Sequence, residues 1–351
     1  MPTINVELLS RSYPIIIEKG LLNRLSQEIK KVYENKKTAI ITDKNIEKLY
    51  GDRIKEELES DFQIKIIVIE PGEKSKSLGV LQEIYDQLLD FQITRGDLII
   101  AFGGGVVGDL AGFAASSLLR GIPYIQIPTS LLAQIDSSVG GKVAINLPQG
   151  KNLVGSFYQP RAVFIDPELL STLDKRYFYD GMAEVIKYAS ILDKGLFEDL
   201  LEFTEKELLE NMEMIIFKCC QMKRDIVVRD ELDTGERMVL NFGHTLGHVI
   251  EKQYKYEKYT HGEAVAMGMY NITKRSENIG ISKKGTSDLI KKILSKYHLP
   301  YEMPPIDKEV IFETIGLDKK NKGQYINLIL IKDIGEVYIE KIHNKDISSY
   351  I

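Results

Sequence analysis

The sequence predicts an α/β N-terminal domain, a doubly wound and largely parallel sheet of the Rossmann-like, nucleotide-binding kind. A mainly α-helical C-terminal domain follows. Three observations carry that expectation. Short apolar runs alternate with helical patterns until Asp166. A Gly-x-Gly-x-x-Gly run, Gly103-Gly104-Gly105-Val106-Val107-Gly108, directly follows one strand and opens an apolar helix. Beyond Asp166-Pro167 helical spacing dominates. The boundary is accordingly drawn at 166/167, giving residues 1–166 and 167–351, with the active site expected in the cleft between them.

The elements follow in order. Val6 to Ser10 and Tyr13 to Ile17 read as two short strands, and Gly20 to Val32 has helical spacing. Lys37 to Thr42 is an apolar run ending in Asp43-Lys44-Asn45, and a helix follows through Leu58. Ile64 to Ile69 is another strand, ending in Pro71-Gly72-Glu73-Lys74-Ser75-Lys76. A helix from Leu78 to Phe91 leads to the strand Asp97 to Phe102, then the glycine run, an apolar helix from Leu110 to Leu119, and the strand Ile122 to Ile127. In such sheets ligands bind beyond the carboxyl ends of the strands, which places Asp43, Asn45, Glu73 and Lys76 on one rim. Asp136 to Gly155 is dense in glycine and polar residues and reads as a long functional loop. Ala162 to Pro167 is a last strand. Helical patterns then cover Gly181 to Leu192, Leu196 to Val228, Gly235 to Lys252, Gly262 to Glu277 and Thr286 to Tyr297. A weak hairpin, Tyr325 to Leu330 with Glu336 to Ile339, closes the chain.

At 351 residues the chain is long enough for two domains, and 44% hydrophobic with 28% charged residues is an ordinary globular profile. A net charge of -5 argues against a general nucleic-acid binder. Met1 to Gly20 lacks the apolar core of a signal peptide, and no apolar run reaches membrane-span length. Cys219 and Cys220 are adjacent in a helical pattern and point about 100° apart, so they are expected to remain thiols in a reducing compartment. A cytoplasmic protein is the expectation.

Chemistry concentrates in a few places. Glycines beside a helix N-terminus let a phosphate approach free N–H groups, so the Gly103 to Asp109 run suits a nucleotide; a tight strand-to-helix turn is the plainer alternative. The acid expected some twenty positions on is missing, and Asp43 is the candidate ribose partner. Lys142 and Lys151, each beside a glycine, suit an anionic ligand or are two solvated lysines on a hairpin. Three of five histidines, His244, His248 and His261, lie close together in sequence. His244 and His248 are four apart and share a helical face, so they either join in a divalent metal site or cap locally. Glu184 and Lys187 are three apart on an otherwise apolar helix and are expected to be buried. They are either an intrahelical ion pair or, for Glu184, the carboxylate completing a site with His244 and His261. Lys223, Arg237 and Asn241 upstream of the histidines fit a carboxylate- or phosphate-bearing substrate. A nicotinamide nucleotide, a catalytic divalent metal and a small anionic substrate together fit metal-assisted alcohol oxidation.

Several blocks together then resemble the 3-dehydroquinate synthase family. They are Gly103 to Asp109, Pro128-Thr129-Ser130 through Asp136 to Lys142, Gly150-Lys151-Asn152, Gly181 to Lys187 and Asn241 to His248. The match runs in order from about Asp43 to Asp318-Lys319-Lys320 and covers most of the chain. The resemblance implies a dehydroquinate synthase-like fold and conversion of the sugar phosphate 3-deoxy-D-arabino-heptulosonate 7-phosphate to 3-dehydroquinate and phosphate, in the shikimate pathway of aromatic amino acid biosynthesis. It implies oxidation, phosphate elimination, reduction and intramolecular aldol closure, with NAD and zinc, or cobalt, as cofactors, in a homodimer.

By that resemblance Glu184, His244 and His261 hold the metal. Asp43, Asn45, Glu73, Lys76, Gly104, Gly105, Val106, Asp109, Thr129, Ser130, Leu132, Thr172 and Leu173 surround NAD, with Lys142 and Lys151 beside them. Asp136, Lys142, Asn152, Lys187, Lys223, Arg237, Asn241, His248 and one of Lys319 and Lys320 form the substrate shell, and Arg120 reaches the neighbouring subunit's substrate. Two departures stand out: Tyr177 replaces the family's usual Glu, and Asp233 stands where some members carry Glu. The rival readings are a related NAD- and metal-dependent sugar phosphate cyclase and a metal-dependent polyol dehydrogenase of the same fold.

Overall fold

Strands buried on both faces read as continuous apolar runs, and Leu98 to Gly103, buried at every residue, is the clearest case here. The computed structural model describes residues 3–9, 11–317 and 325–350. The chain divides into two compact units. One comprises Met1–Leu173 and Met212–Leu232, the other Asp174–Asn211 and Asp233–Ile351.

The first unit opens with β1 (Thr3–Val6), β2 (Tyr13–Ile17), α1 (Leu25–Lys30), β3 (Lys37–Asp43), α2 (Lys44–Leu58), β4 (Gln63–Ile69) and α3 (Leu78–Asp90). It continues with β5 (Leu98–Gly103), α4 (Gly105–Ser117), β6 (Tyr124–Pro128), β7 (Lys142–Leu147), β8 (Gly150–Phe157) and β9 (Val163–Ile165). Seven strands form one sheet in the order β1-β2-β9-β6-β5-β3-β4. Only the β1–β2 pair is antiparallel; the remaining pairs are parallel, as the alternation of strands and helices demands. Apolar clusters cover both faces. One includes Ile40, Ile54, Ile100 and Phe164, the other Ile41, Ile84, Ile99 and Leu110.

Two local expectations need correction. The apolar helix begins at Gly105, five residues earlier than Leu110, so the third glycine of the run is already helical. The glycine-rich stretch after Asp136 is mostly not loop: a π-type turn, Ala133–Ser137, leads into the antiparallel hairpin β7–β8. Its inner face is Val143 and Ile145, both buried against α4. That contact needs Gly112, whose added Cβ would lie 2.4 Å from Val143.

The second part contains α5 (Lys175–Leu192), α6 (Lys194–Glu202) and α7 (Glu205–Glu210). α8 (Met212–Arg229) then rejoins the first unit, packing on β1, β2 and the π-type turn. The single helix expected from Leu196 to Val228 is thus three, broken by the Thr204–Glu207 capping box and at Asn211. α9 (His244–Gln253), α10 (His261–Asn278), α11 (Thr286–Lys296), α12 (Lys308–Leu317) and the hairpin β10 (Tyr325–Asp333)–β11 (Glu336–His343) complete the second unit. The helix expected over Gly235 to Lys252 is a 3-10 segment, Glu236–Asn241, then α9, because Gly243 between them has φ 80°. No helix among the described residues is long and apolar enough to cross a membrane.

Candidate metal centre and anion-binding rim

α5 is buried continuously from Asp180 to Ile191, although Glu184 and Lys187 lie within that span. An all-round buried helix suits apolar residues, so two charges there need compensation. Lys187 Nζ pairs with Glu184 Oε2. Glu184 Oε1 lies 3.6 Å from Nε2 of His244 and 3.6 Å from Nε2 of His261. One ligand atom from each of the three residues falls within 4.8 Å of the others.

Glycines bring the three supporting helices this close. An added Cβ at Gly268 of α10 would lie 1.9 Å from the Gly243 carbonyl oxygen, at the start of α9. One at Gly247 would lie 3.2 Å from the Val265 nitrogen, and one at Gly262 only 2.1 Å from the Asp180 carbonyl oxygen on α5. His244 and His261 are the first residues of their helices, and their ring centroids are 5.1 Å apart. The start of α10 is fixed by a capping box between Thr260 and Glu263 and by Asp180, which accepts from the Gly262 N–H. Arg176 donates Nε and Nη2 to the two Glu263 oxygens, each at 2.9 Å.

Both rings are oriented from behind. His244 Nδ1 lies 3.1 Å from the Phe242 carbonyl oxygen, and His261 Nδ1 lies 3.5 Å from Glu251 Oε2. Burial pushes the His244 pKa down to about 3 against the pull of Glu184, so this imidazole is neutral and can ligate. Burial also works against a charged His261, but Glu184 and Glu251 outweigh it and raise its pKa. Two imidazole nitrogens and one carboxylate oxygen, converging from three helices with both Nδ1 atoms anchored, fit a divalent cation that would take the place of that proton. His248 lies beside the cluster, its ring 5.5 Å from His244 and 6.4 Å from His261, but it is not among the three converging donors.

The other substrate-shell candidates of the second unit differ in exposure. Lys187 and Arg237 are buried, whereas Asn241 is exposed. Tyr177, which replaces the family's usual Glu, is 56% exposed. Lys319 and Lys320 lie outside the described residues.

In the first unit the residues expected around NAD gather at strand ends. Gly104 is the N-cap of α4 and offers no side-chain acceptor, so the first-turn N–H groups face outward past glycine. The Thr129 N–H donates to the Gly103 carbonyl, and Ser130 Oγ would lie 3.4 Å from a Cβ at Gly104, which sets Thr129 and Ser130 beside Gly103 and Gly104. Asp43 caps α2 by accepting from the N–H groups of Asn45 and Ile46. Thr172 shares a hydrogen bond with the Tyr50 hydroxyl on α2, and Leu173 closes the 3-10 segment Pro167–Thr172.

A polar chain links the rest of that rim. Asn146 donates to Glu73, the Asn152 N–H donates to Asn146, and Lys76 donates to both Asn152 and Asp109. Lys76 is only 4% exposed, and burial raises the Asp109 pKa while Lys76 opposes the shift. Asn152, expected in the substrate shell, is thereby tied to cofactor-side residues. Lys223 on α8 pairs with Asp136 through its carboxylate and carbonyl, which joins two expected substrate residues. Lys142 is exposed at the start of β7, and Lys151 is half-buried on β8. Arg120 is exposed and has φ 68°, next to Leu119 at 51°, two non-glycine residues in the left-handed region.

Sequence reasoning missed Glu251, Asp180, Arg176, Glu263 and the role of Asn146. One signal was present: Asp180 precedes Glu184 by one helical turn, and Glu251 follows His244 by two.

Residues 66–180 match the 3-dehydroquinate synthase N-terminal family model, and residues 181–321 match its C-terminal counterpart. A 3-dehydroquinate synthase of Clostridium acetobutylicum is 54% identical over 353 residues, covering 100% of this chain and 99% of the relative. Among solved structures, a 2-deoxy-scyllo-inosose synthase complexed with carbaglucose-6-phosphate, NAD+ and Co2+ superposes with a TM-score of 0.86. It is 26% identical and covers 100% of both chains. A 2-epi-5-epi-valiolone synthase from Streptomyces hygroscopicus with NAD+ and Zn2+ bound gives 0.88, at 25% identity, covering 98% of this chain and 97% of that one. The full-length relatives and both family models show that the chain belongs to the 3-dehydroquinate synthase family.

Proposed function

We propose that the chain converts 3-deoxy-D-arabino-heptulosonate 7-phosphate to 3-dehydroquinate and phosphate, with NAD and a divalent metal as resident cofactors. The observation that carries this reading is the convergence of Glu184, His244 and His261 from three helices onto one point. The dinucleotide belongs at the first-turn amides of α4, with Asp43, Asn45, Glu73, Lys76, Asp109, Lys151 and Thr172 around it. The 1–166 part is the NAD-binding domain in this reading, and 167–351 the metal- and substrate-binding one. Bound NAD would supply a hydride acceptor and donor, and a zinc or cobalt ion held by Glu184, His244 and His261 would supply Lewis acidity toward substrate oxygens.

The chain's own groups supply recognition. Lys142, Lys223 and Arg237 suit the carboxylate and phosphate of the substrate, while Asn241, Asn152 and His248 offer hydrogen bonds to its hydroxyls. Lys187, paired with Glu184, sets a fixed positive charge next to the metal ligands. Asp136 holds the Lys223 ammonium in place. Arg120 serves a second copy of the chain in a homodimer, and the enzyme acts in the cytoplasm.

The test is to incubate the purified chain with NAD, zinc and the carboxylated seven-carbon sugar phosphate, with glucose 6-phosphate and sedoheptulose 7-phosphate in parallel. Phosphate release from the carboxylated sugar alone, with no net NADH at steady state, is expected. Release only from a carboxylate-free sugar overturns the substrate, and steady NADH accumulation overturns the lyase chemistry.

A further inference from the structure

The two histidines that face Glu184 are held from behind by different groups. His244 Nδ1 meets a backbone carbonyl, that of Phe242, at 3.1 Å. His261 Nδ1 meets a carboxylate, Glu251 Oε2, at 3.5 Å. Glu251 is 3% exposed, a burial that carboxylates resist unless a partner offsets the cost. It lies seven residues after His244 on α9, two helical turns along, so both side chains leave the same face. One helix therefore supplies a metal-site donor of its own and a carboxylate aimed at the donor of its neighbour, α10. The glycines that draw α9 against α10 make this reach possible.

We propose that Glu251 is a positioning residue for the metal centre: it selects the Nδ1–H tautomer of His261 and fixes the ring so that Nε2 points at Glu184. A carboxylate behind an imidazole also makes the opposite nitrogen a stronger donor than a carbonyl does. The inference rests on reading Glu184, His244 and His261 as metal ligands.

Zinc affinity of the metal-stripped chain, measured by chelator competition, and its melting temperature test this in the wild type, Glu251→Gln and His261→Ala. Glu251→Gln keeps the shape but not the charge, and its zinc affinity is expected to fall about 10- to 100-fold with little change in metal-free melting temperature. Wild-type zinc affinity in that variant overturns the proposal, and so does a loss that merely tracks a lowered metal-free melting temperature. Failure of the wild-type chain to bind zinc overturns the ligand reading itself, which distinguishes the two. If Glu251→Gln does not fold, nitrogen-15 imidazole signals of the zinc-loaded wild type decide. A protonated Nδ1 and a zinc-bound Nε2 on His261 support the proposal, and the reverse tautomer overturns it.

Discussion

The two candidate sites, one in each unit, use glycine for opposite purposes. In the first, Gly104 and Gly105 sit at the start of α4 and leave the first-turn amides open, so the proposed dinucleotide site has backbone at its centre. In the second, Gly243, Gly247, Gly262 and Gly268 expose nothing. They let α5, α9 and α10 approach until three side chains converge. A backbone site is spoiled by adding atoms and survives most side-chain deletions around it. A side-chain site fails on one deletion, or on anything that pushes its helices apart. Substitutions of both kinds can therefore break the distinction or sharpen it.

Deletion in the second unit is the harshest case. His261→Ala removes one of three donors, and the remaining pair cannot close around a cation. Metal stabilisation of developing charge is worth several kcal/mol, so turnover should fall by about a thousandfold or more. Zinc content after dialysis and phosphate release measure both effects; normal zinc content would remove His261 from the ligand set.

Added atoms should act differently in the two units. Gly268→Ala puts a Cβ 1.9 Å from the Gly243 carbonyl, a backbone atom that yields only if α9 and α10 separate. Overpacking of this kind costs about 1–3 kcal/mol, and here the shift also pulls His244 from His261. A lower melting temperature and weaker zinc binding are expected together. Gly105→Ala meets only Ser137 Oγ, at 3.0 Å, a side-chain atom that can rotate away. Its stability should stay within about 1 kcal/mol of wild type. NAD affinity, read by fluorescence titration, should drop about tenfold or more, or 1.4 kcal/mol. If Gly105→Ala unfolded the chain and left NAD binding intact in the folded fraction, the contrast between the units would collapse.

The first unit was the more legible in sequence, for the same reason. A backbone site announces itself through glycine spacing after a strand, and the buried strands are unbroken apolar runs such as Leu98 to Phe102. The β7–β8 hairpin was read mainly as loop because glycines crowd around it, Gly140-Gly141 before β7 and Gly150 and Gly155 in β8, although Val143 and Ile145 alternate within β7. α8 shows the limit of periodicity. Ile215, Ile216, Cys219, Cys220 and Ile226 form a buried stripe, yet nothing in that stripe says which unit covers it. In the second unit the His244/His248 pair pointed to the neighbourhood where Glu184, His244 and His261 converge. Helical spacing put both on one face, but only His244 faces Glu184, and His248 is exposed. Glu251 sits in the charged run Glu251-Lys252-Gln253-Tyr254-Lys255, which reads as solvated surface. Its contact with His261 of α10 is tertiary, and its place two turns after His244 was the one local sign of it.

Acid separates the two materials by a smaller margin, because backbone amides do not titrate in this range and side-chain scaffolds do. Burial pushes the Glu263 carboxyl up, but Arg176 and the Thr260 N–H outweigh it and hold its pKa below the ordinary 4.5. A carboxyl with a depressed folded-state pKa stabilises fully above its unfolded value. That contribution is lost as pH falls through the ordinary range towards the folded value. Arg176 is 53% exposed, so solvent screening limits the pair to about 1 kcal/mol or less. Glu263→Gln keeps an N3 side chain able to complete the capping box and removes only the charge. Urea unfolding should therefore show the variant about 1 kcal/mol less stable at neutral pH, with the gap closing on acidification below 4.5. Asp109 in the first unit shifts the other way: burial raises its pKa, so protonation favours the folded state there and acid does not cost that rim its carboxyl's contribution. A gap between wild type and Glu263→Gln that stays constant down to acid pH would mean the Arg176 clamp carries no charge-dependent stability, and that the start of α10 is held by its caps and glycine contacts alone.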